Sequence, residues 1–211
     1  MIMLRKFLRF PLLWGLLLFP ALASAHHGQK HEAGDAARGL RHVTVLIVRH
    51  AEKPAQDDGP NSRGLSPRGE LRAEAYASYF DPLRIDGQTL QPQRLIATRD
   101  SKNSERPRLT LAPLAARLRL PLEQSFADTQ VDQLVSSLRR RNQAAVVLIA
   151  WHHGELGDLI NAFGGDLKTL VGRDKWPGDV YNWLIVLRFD DRGQLMPSSS
   201  HRVQEHLLPG D

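Results

Sequence analysis

Arg49 and His50 stand side by side, followed by Ala51-Glu52-Lys53, directly after the apolar run Val43-Thr44-Val45-Leu46-Ile47-Val48. A guanidinium offers a planar fork of donors that matches a phosphate. A neutral imidazole beside it is a nucleophile near pH 7. Together they point to phosphoryl transfer through a phosphohistidine. The competing reading is a chance pairing at a strand edge, because a two-residue motif has little specificity. Two further places carry related chemistry. Leu95-Ile96-Ala97-Thr98 leads through a polar loop into Ser104-Glu105-Arg106-Pro107-Arg108-Leu109-Thr110, and Val146-Val147-Leu148-Ile149-Ala150 runs into Trp151-His152-His153-Gly154. Fixed cationic donors stabilise the charge on the equatorial oxygens of a transferring phosphoryl group. One histidine would attack phosphorus while another donates hydrogen bonds to the oxygens. Such a site needs no metal. A zinc site built from His50, His152 and His153 is the rival, disfavoured by the repulsion of two nearby arginines.

These groups meet only if the elements that carry them share one sheet. The chain alternates accordingly. After the first apolar run comes a loop from Pro54 to Leu65, then Ser66-Pro67, which reads as an N-cap followed by proline at the first helical position. Leu71, Ala75 and Tyr79 continue at i, i+4 and i+8, predicting a helix from Pro67 to Phe80. Helical patterns also cover Ser104 to Leu118, Asp128 to Arg141 and Glu155 to Phe163; Pro113 must kink the first of these or mark a late start. Leu95 to Thr98, Val146 to Ala150 and Trp183 to Phe189 are short apolar runs of strand type. Strands alternating with helices predict an α/β fold, a mostly parallel central sheet with helices on both faces. In such a sheet, ligand sites open outside the carboxyl ends of the strands. Three strand ends would then converge on one phosphate-sized site.

At this point the chain resembles the histidine phosphatase superfamily, also called phosphoglycerate mutase-like, from about Val43 to Phe189. Arg49-His50-Ala51-Glu52-Lys53 is similar to the family's Arg-His-x-Glu signature. Leu65-Ser66-Pro67-Arg68-Gly69 resembles its Leu-Thr-x-x-Gly helix entry, and Arg106 with Thr110 its Arg-Ala-x-x-Thr-Ala segment. His153-Gly154 resembles the second histidine after the third strand. The resemblance implies that His50 becomes phosphorylated, that Arg49 and Arg106 hold the phosphate oxygens, and that His153 is the second pocket histidine. His152 is the alternative, since the register of Trp151-His152-His153-Gly154 is ambiguous; the following glycine favours His153. Many members also carry a proton-donating carboxylate between the second arginine and the second histidine. Glu123, Asp128 and Asp132 lie there and Glu155 just beyond, none in a recognisable context. No cofactor is implied. Export argues against a glycolytic mutase, so the implied activity is hydrolysis of a phosphorylated small molecule or phosphoprotein. The alternative is a phosphate-binding module of the same fold without turnover.

Export is read from the start of the chain. Arg5, Lys6 and Arg9 precede the apolar stretch Pro11 to Leu22 and the small-x-small site Ala23-Ser24-Ala25, the pattern of a secretory signal peptide over 1–25. The apolar stretch falls short of the ~20 residues that span a bilayer. Cleavage after Ala25 leaves 186 of the 211 residues, in the periplasm or outside the cell, with no membrane attachment expected. It also removes three basic residues from a net charge of +5, leaving about +2, so the basic balance does not argue for nucleic acid. Arg139-Arg140-Arg141 closes a helical pattern, where cations suit the macrodipole. A flexible leader with His26, His27 and His31 is expected over 26–41, and one catalytic domain over 42–211. With no cysteine in the chain, no disulfide or thiolate chemistry is available.

Overall fold

The computed structural model of the chain describes residues 38–55 and 63–211. The expected signal peptide, most of the leader and part of the loop after the first strand lie outside the described residues. In chain order the elements are β1 (Thr44–Arg49), α1 (Pro67–Tyr79), β2 (Leu83–Ile85), β3 (Gln88–Leu90), β4 (Arg94–Ala97), α2 (Arg106–Leu118), β5 (Leu122–Glu123), α3 (Val131–Arg141), β6 (Val146–Trp151), α4 (Leu156–Ala162), α5 (Leu167–Val171), β7 (Trp183–Arg188) and β8 (His201–Gln204).

Every residue of β1 is buried, and its side chains divide by parity. Val45 and Ile47 join one apolar core with Leu134 and Leu138 of α3 and Leu159 and Ile160 of α4. Leu46 and Val48 join the other with Tyr76 of α1 and Leu111 and Leu114 of α2. A strand apolar on both faces is stable only inside a sheet covered on both sides. The main sheet has the order β5-β4-β6-β1-β7-β8, parallel from β5 through β1 and antiparallel at the β1–β7 and β7–β8 pairings. The predicted α/β class, mostly parallel with helices on both faces, is the observed one. The β2–β3 hairpin was not anticipated, although its turn was written in Asp86-Gly87. Both residues have positive φ, 52° and 69°, as a two-residue hairpin turn demands. Helix α2 does not start late at Pro113: it runs through that residue, with Pro107 in its first turn, where no N–H is required.

Two polar features tie α1 to the segment after β1. The Ser66 hydroxyl accepts from the Gly69 N–H at 3.1 Å, the predicted cap. A Cβ on Gly69 would lie 2.4 Å from the Glu52 carbonyl oxygen, so only glycine lets α1 approach this closely. The Glu52 carboxylate accepts from Arg72 (Nη2–Oε1 2.7 Å) and from Arg68 (Nε–Oε1 3.2 Å). Arg72 in turn grips Asp211 at 2.7 and 3.0 Å, which holds the Asp211 carboxyl down at about 2 despite burial.

Beside this network Glu205 is fully buried, with Tyr76 Oη donating to its Oε2 at 2.8 Å and its Oε1 without a partner. Burial pushes its carboxyl up to about 8. Between the ordinary value and 8 the native state holds a proton that the unfolded chain has released, so stability falls as pH rises across that window. Glu205→Gln removes this titration. The expected result is a stability that no longer declines from pH 5 to pH 8, with a gain at pH 8 on the order of a few kcal/mol, read by urea unfolding. Parallel pH slopes in the two proteins would contradict it.

Candidate active site

Strand β1 ends at Arg49 and β6 at Trp151, and the parallel register pairs these two residues. One step further along each chain, the same register brings His50 beside His152. The His50 N–H donates to the Trp151 carbonyl at 3.0 Å, and the two imidazoles meet edge to face with centroids 5.1 Å apart. His50 is 2% exposed. Parity puts both histidines on the α1/α2 side, with Leu46, Val48, Leu148 and Ala150. His153 is exposed instead and lines a neighbouring cavity of about 560 Å³ with Trp176 and Gly178. The preference for His153 as the partner of His50 is therefore corrected to His152. The physical reason is strand register, which outweighs the cue of a following glycine.

The tautomer of His50 follows from one bond. Its Nδ1 lies 2.7 Å from the Ala51 carbonyl oxygen. A carbonyl only accepts, so Nδ1 carries the hydrogen and Nε2 keeps its lone pair. Burial, helped by the charges of His152, Arg49 and Arg106, holds the imidazolium form of His50 well below its ordinary range. Burial likewise lowers His152 to about 4, opposed by Asp128. Both rings are neutral at pH 7, and His50 presents a free nucleophilic nitrogen.

Arg49 is 1% exposed. Its Nη1 donates to the carbonyls of Gly178 (2.8 Å), Val180 (2.9 Å) and Pro177 (3.2 Å). The Tyr181 ring covers its guanidinium carbon at 3.7 Å. Its Nε is buried with no hydrogen-bond partner. Burial lowers Arg49 to about 10, which leaves it cationic at neutral pH. A phosphate oxygen has the chemistry to accept from this Nε.

Arg106 opens α2, and its charge acts on both histidines and on Arg49. Thr110, one turn later, explains the spacing: its Oγ1 donates to the Arg106 carbonyl and accepts from the Ala51 N–H, each at 2.8 Å. This pins the start of α2 to the residue after His50. Arg49, His50, Arg106 and His152 are thereby gathered at the carboxyl ends of β1, β4 and β6.

The candidate carboxylates separate in the same way. Glu123 pairs with Arg94 at 2.7 Å, and Asp132 is exposed on α3. Asp128 sits by the second histidine: its carbonyl accepts from Trp151 Nε1 at 3.0 Å and its charge acts on His152. Glu155 follows His152 by one turn, and burial together with Asp128 raises its carboxyl above the ordinary range. Glu52 is engaged with Arg68 and Arg72 of α1.

The loop from Trp176 to Tyr181 packs against Arg49. Trp176 is buried, and its Nε1 donates to the Val180 carbonyl at 2.9 Å while the backbone turns toward Arg49. Asp179 and Tyr181 flank Val180 in this loop, and Tyr181 was not singled out from sequence. They also line a second cavity, of about 380 Å³, with Glu52, Arg68 and Arg72.

No protein-family model matches the sequence, and no curated protein is significantly similar to it. Solved structures are similar in fold. The protein histidine phosphatase SixA, solved with tungstate, superposes with a TM-score of 0.51 at 16% identity, covering 77% of this chain and 97% of that one. The alpha-ribazole phosphatase from Shigella flexneri gives 0.53 at 14% identity, covering 80% and 99%. In strand order and layering, the fold of this chain is that of the histidine phosphatase, or phosphoglycerate mutase-like, superfamily.

Proposed function

We propose that this chain is an exported phosphatase that hydrolyses a phosphomonoester or a phosphohistidine through a phosphohistidine formed on His50. The observation that carries this reading is the Nδ1 bond to the Ala51 carbonyl, which leaves a neutral Nε2 beside two arginines and a second histidine. In the first step the Nε2 lone pair of His50 forms a bond to phosphorus. The bond from phosphorus to the leaving oxygen or nitrogen breaks, and that atom takes up a proton from solvent, to which the attacking water of the second step returns one. In the second step water attacks the same phosphorus, the P–N bond breaks and inorganic phosphate leaves. Arg49 and Arg106 neutralise the equatorial oxygens, and His152 donates a hydrogen bond to one of them. The arginines supply the positive charge that a metal would otherwise bring, which supports a metal-independent route.

Similar folds bearing the names of a protein histidine phosphatase and an alpha-ribazole phosphatase support a phosphorylated substrate. Export rests on the leader pattern over 1–25 and predicts a secreted protein whose intact mass begins at His26; a retained N-terminus would contradict it. The activity is tested by hydrolysis of p-nitrophenyl phosphate by the purified mature chain. Turnover that persists in EDTA is the expected result. Loss of activity in the chelator, restored by a divalent metal, would overturn the metal-independent route.

A further inference from the structure

Buried guanidinium groups bind phosphate well only when their planes are fixed in advance, because a mobile fork loses orientation that the bidentate geometry requires. Arg49 is fixed from two directions. Three carbonyls of the loop from Pro177 to Val180 take up its Nη1. The loop is itself anchored by Trp176, whose ring packs edge to face on Trp183 with centroids 5.3 Å apart. The second restraint is Tyr181. Its ring lies on the guanidinium at 3.7 Å, and its centroid is 6.1 Å from that of His50. The ring therefore covers the cation and borders the nucleophile at once, while the Nε of Arg49 is left without an acceptor.

We propose that Tyr181 is a positioning residue: the face of its ring holds the plane of Arg49 so that the Nε edge meets the phosphoryl group. This rests on the phosphatase reading. The aromatic face is what acts, through a cation–π contact made in a desolvated place, and the phenolic hydroxyl is not required. Tyr181→Phe keeps the face and removes the hydroxyl, whereas Tyr181→Leu keeps bulk and removes the face.

The test measures inhibition by orthovanadate, together with kcat and KM for p-nitrophenyl phosphate, in the mature chain and both variants. Tyr181→Phe is expected to stay within about twofold of the parent, and Tyr181→Leu to bind orthovanadate roughly tenfold more weakly. Thermal melting checks that both variants fold. A merely structural role would not depend on Arg49, so the same change is also made in an Arg49→Lys background, where Tyr181→Leu should add nothing further. Unchanged orthovanadate inhibition in Tyr181→Leu, equal losses in Phe and Leu, or additivity with Arg49→Lys would each overturn the proposal. Failure of the parent itself to bind orthovanadate or turn over substrate would instead sink the phosphatase reading, and this proposal with it.

Discussion

His50→Ala is expected to abolish turnover of p-nitrophenyl phosphate, with a loss of roughly 10⁴-fold or more, because a covalent route has no substitute for its nucleophile. The effect should fall on kcat and leave the fold intact. His50 is anchored by its own backbone to the Trp151 carbonyl, a bond that alanine retains. The pH dependence of the parent enzyme follows from the same site. Burial and three neighbouring cationic or imidazole groups hold His50 neutral well below its usual range. Corrected for ionisation of the substrate, kcat/KM should stay level from pH 7 down to pH 5. A fall centred near the ordinary histidine value would mean that the nucleophile is not buried as described. Equal activity in the parent and in His50→Ala would place the chemistry elsewhere.

The second large effect separates two adjacent histidines. His152→Ala should lower kcat/KM by roughly 10²–10³-fold, the scale for loss of one preorganised donor to a developing oxyanion. His153→Ala should remain within a few-fold. The asymmetry comes from the β1–β6 ladder, which sets His152 against the His50 ring and leaves His153 facing solvent at a cavity rim. Steady-state kinetics on both variants decides it. Equal losses, or a larger loss at His153, would show that the ladder does not continue through the strand ends as the geometry requires.

That distinction marks where the sequence stopped being legible. The two central strands could be read from their apolar runs, and the sheet class from their alternation with helices. Ser66 at the cap of α1, Gly69 beneath Glu52, and Arg106 with Thr110 one turn apart are local patterns, and each has a local physical cause in the structure. The identity of the second histidine is not local. Thr44 pairs with Val146, so His50 and His152 hold the same offset along neighbouring strands. Within β6 alone, period two cannot say which of two adjacent histidines shares a face with a residue on another strand. Comparing the starts of the two apolar runs would have suggested the pairing, but register is fixed by packing across the sheet. Tyr181 was hidden for a different reason. It lies in an irregular loop with no periodicity, and its contact with Arg49 spans most of the domain in sequence. The carboxylates show a third case. Four were visible as candidates, and tertiary contacts removed Glu123 by pairing it with Arg94 while bringing Asp128 and Glu155 toward His152.

The most direct measurement is to trap the intermediate. The mature chain is mixed with ³²P-labelled phosphorylated substrate, quenched in alkali within milliseconds, digested and mapped by mass spectrometry under conditions that spare phosphoramidates. A single acid-labile phosphoryl group is expected on the peptide containing His50, bonded through Nε2, formed and lost at rates compatible with kcat and missing in His50→Ala. Steady turnover with no label on the protein, or label on another residue, would contradict it.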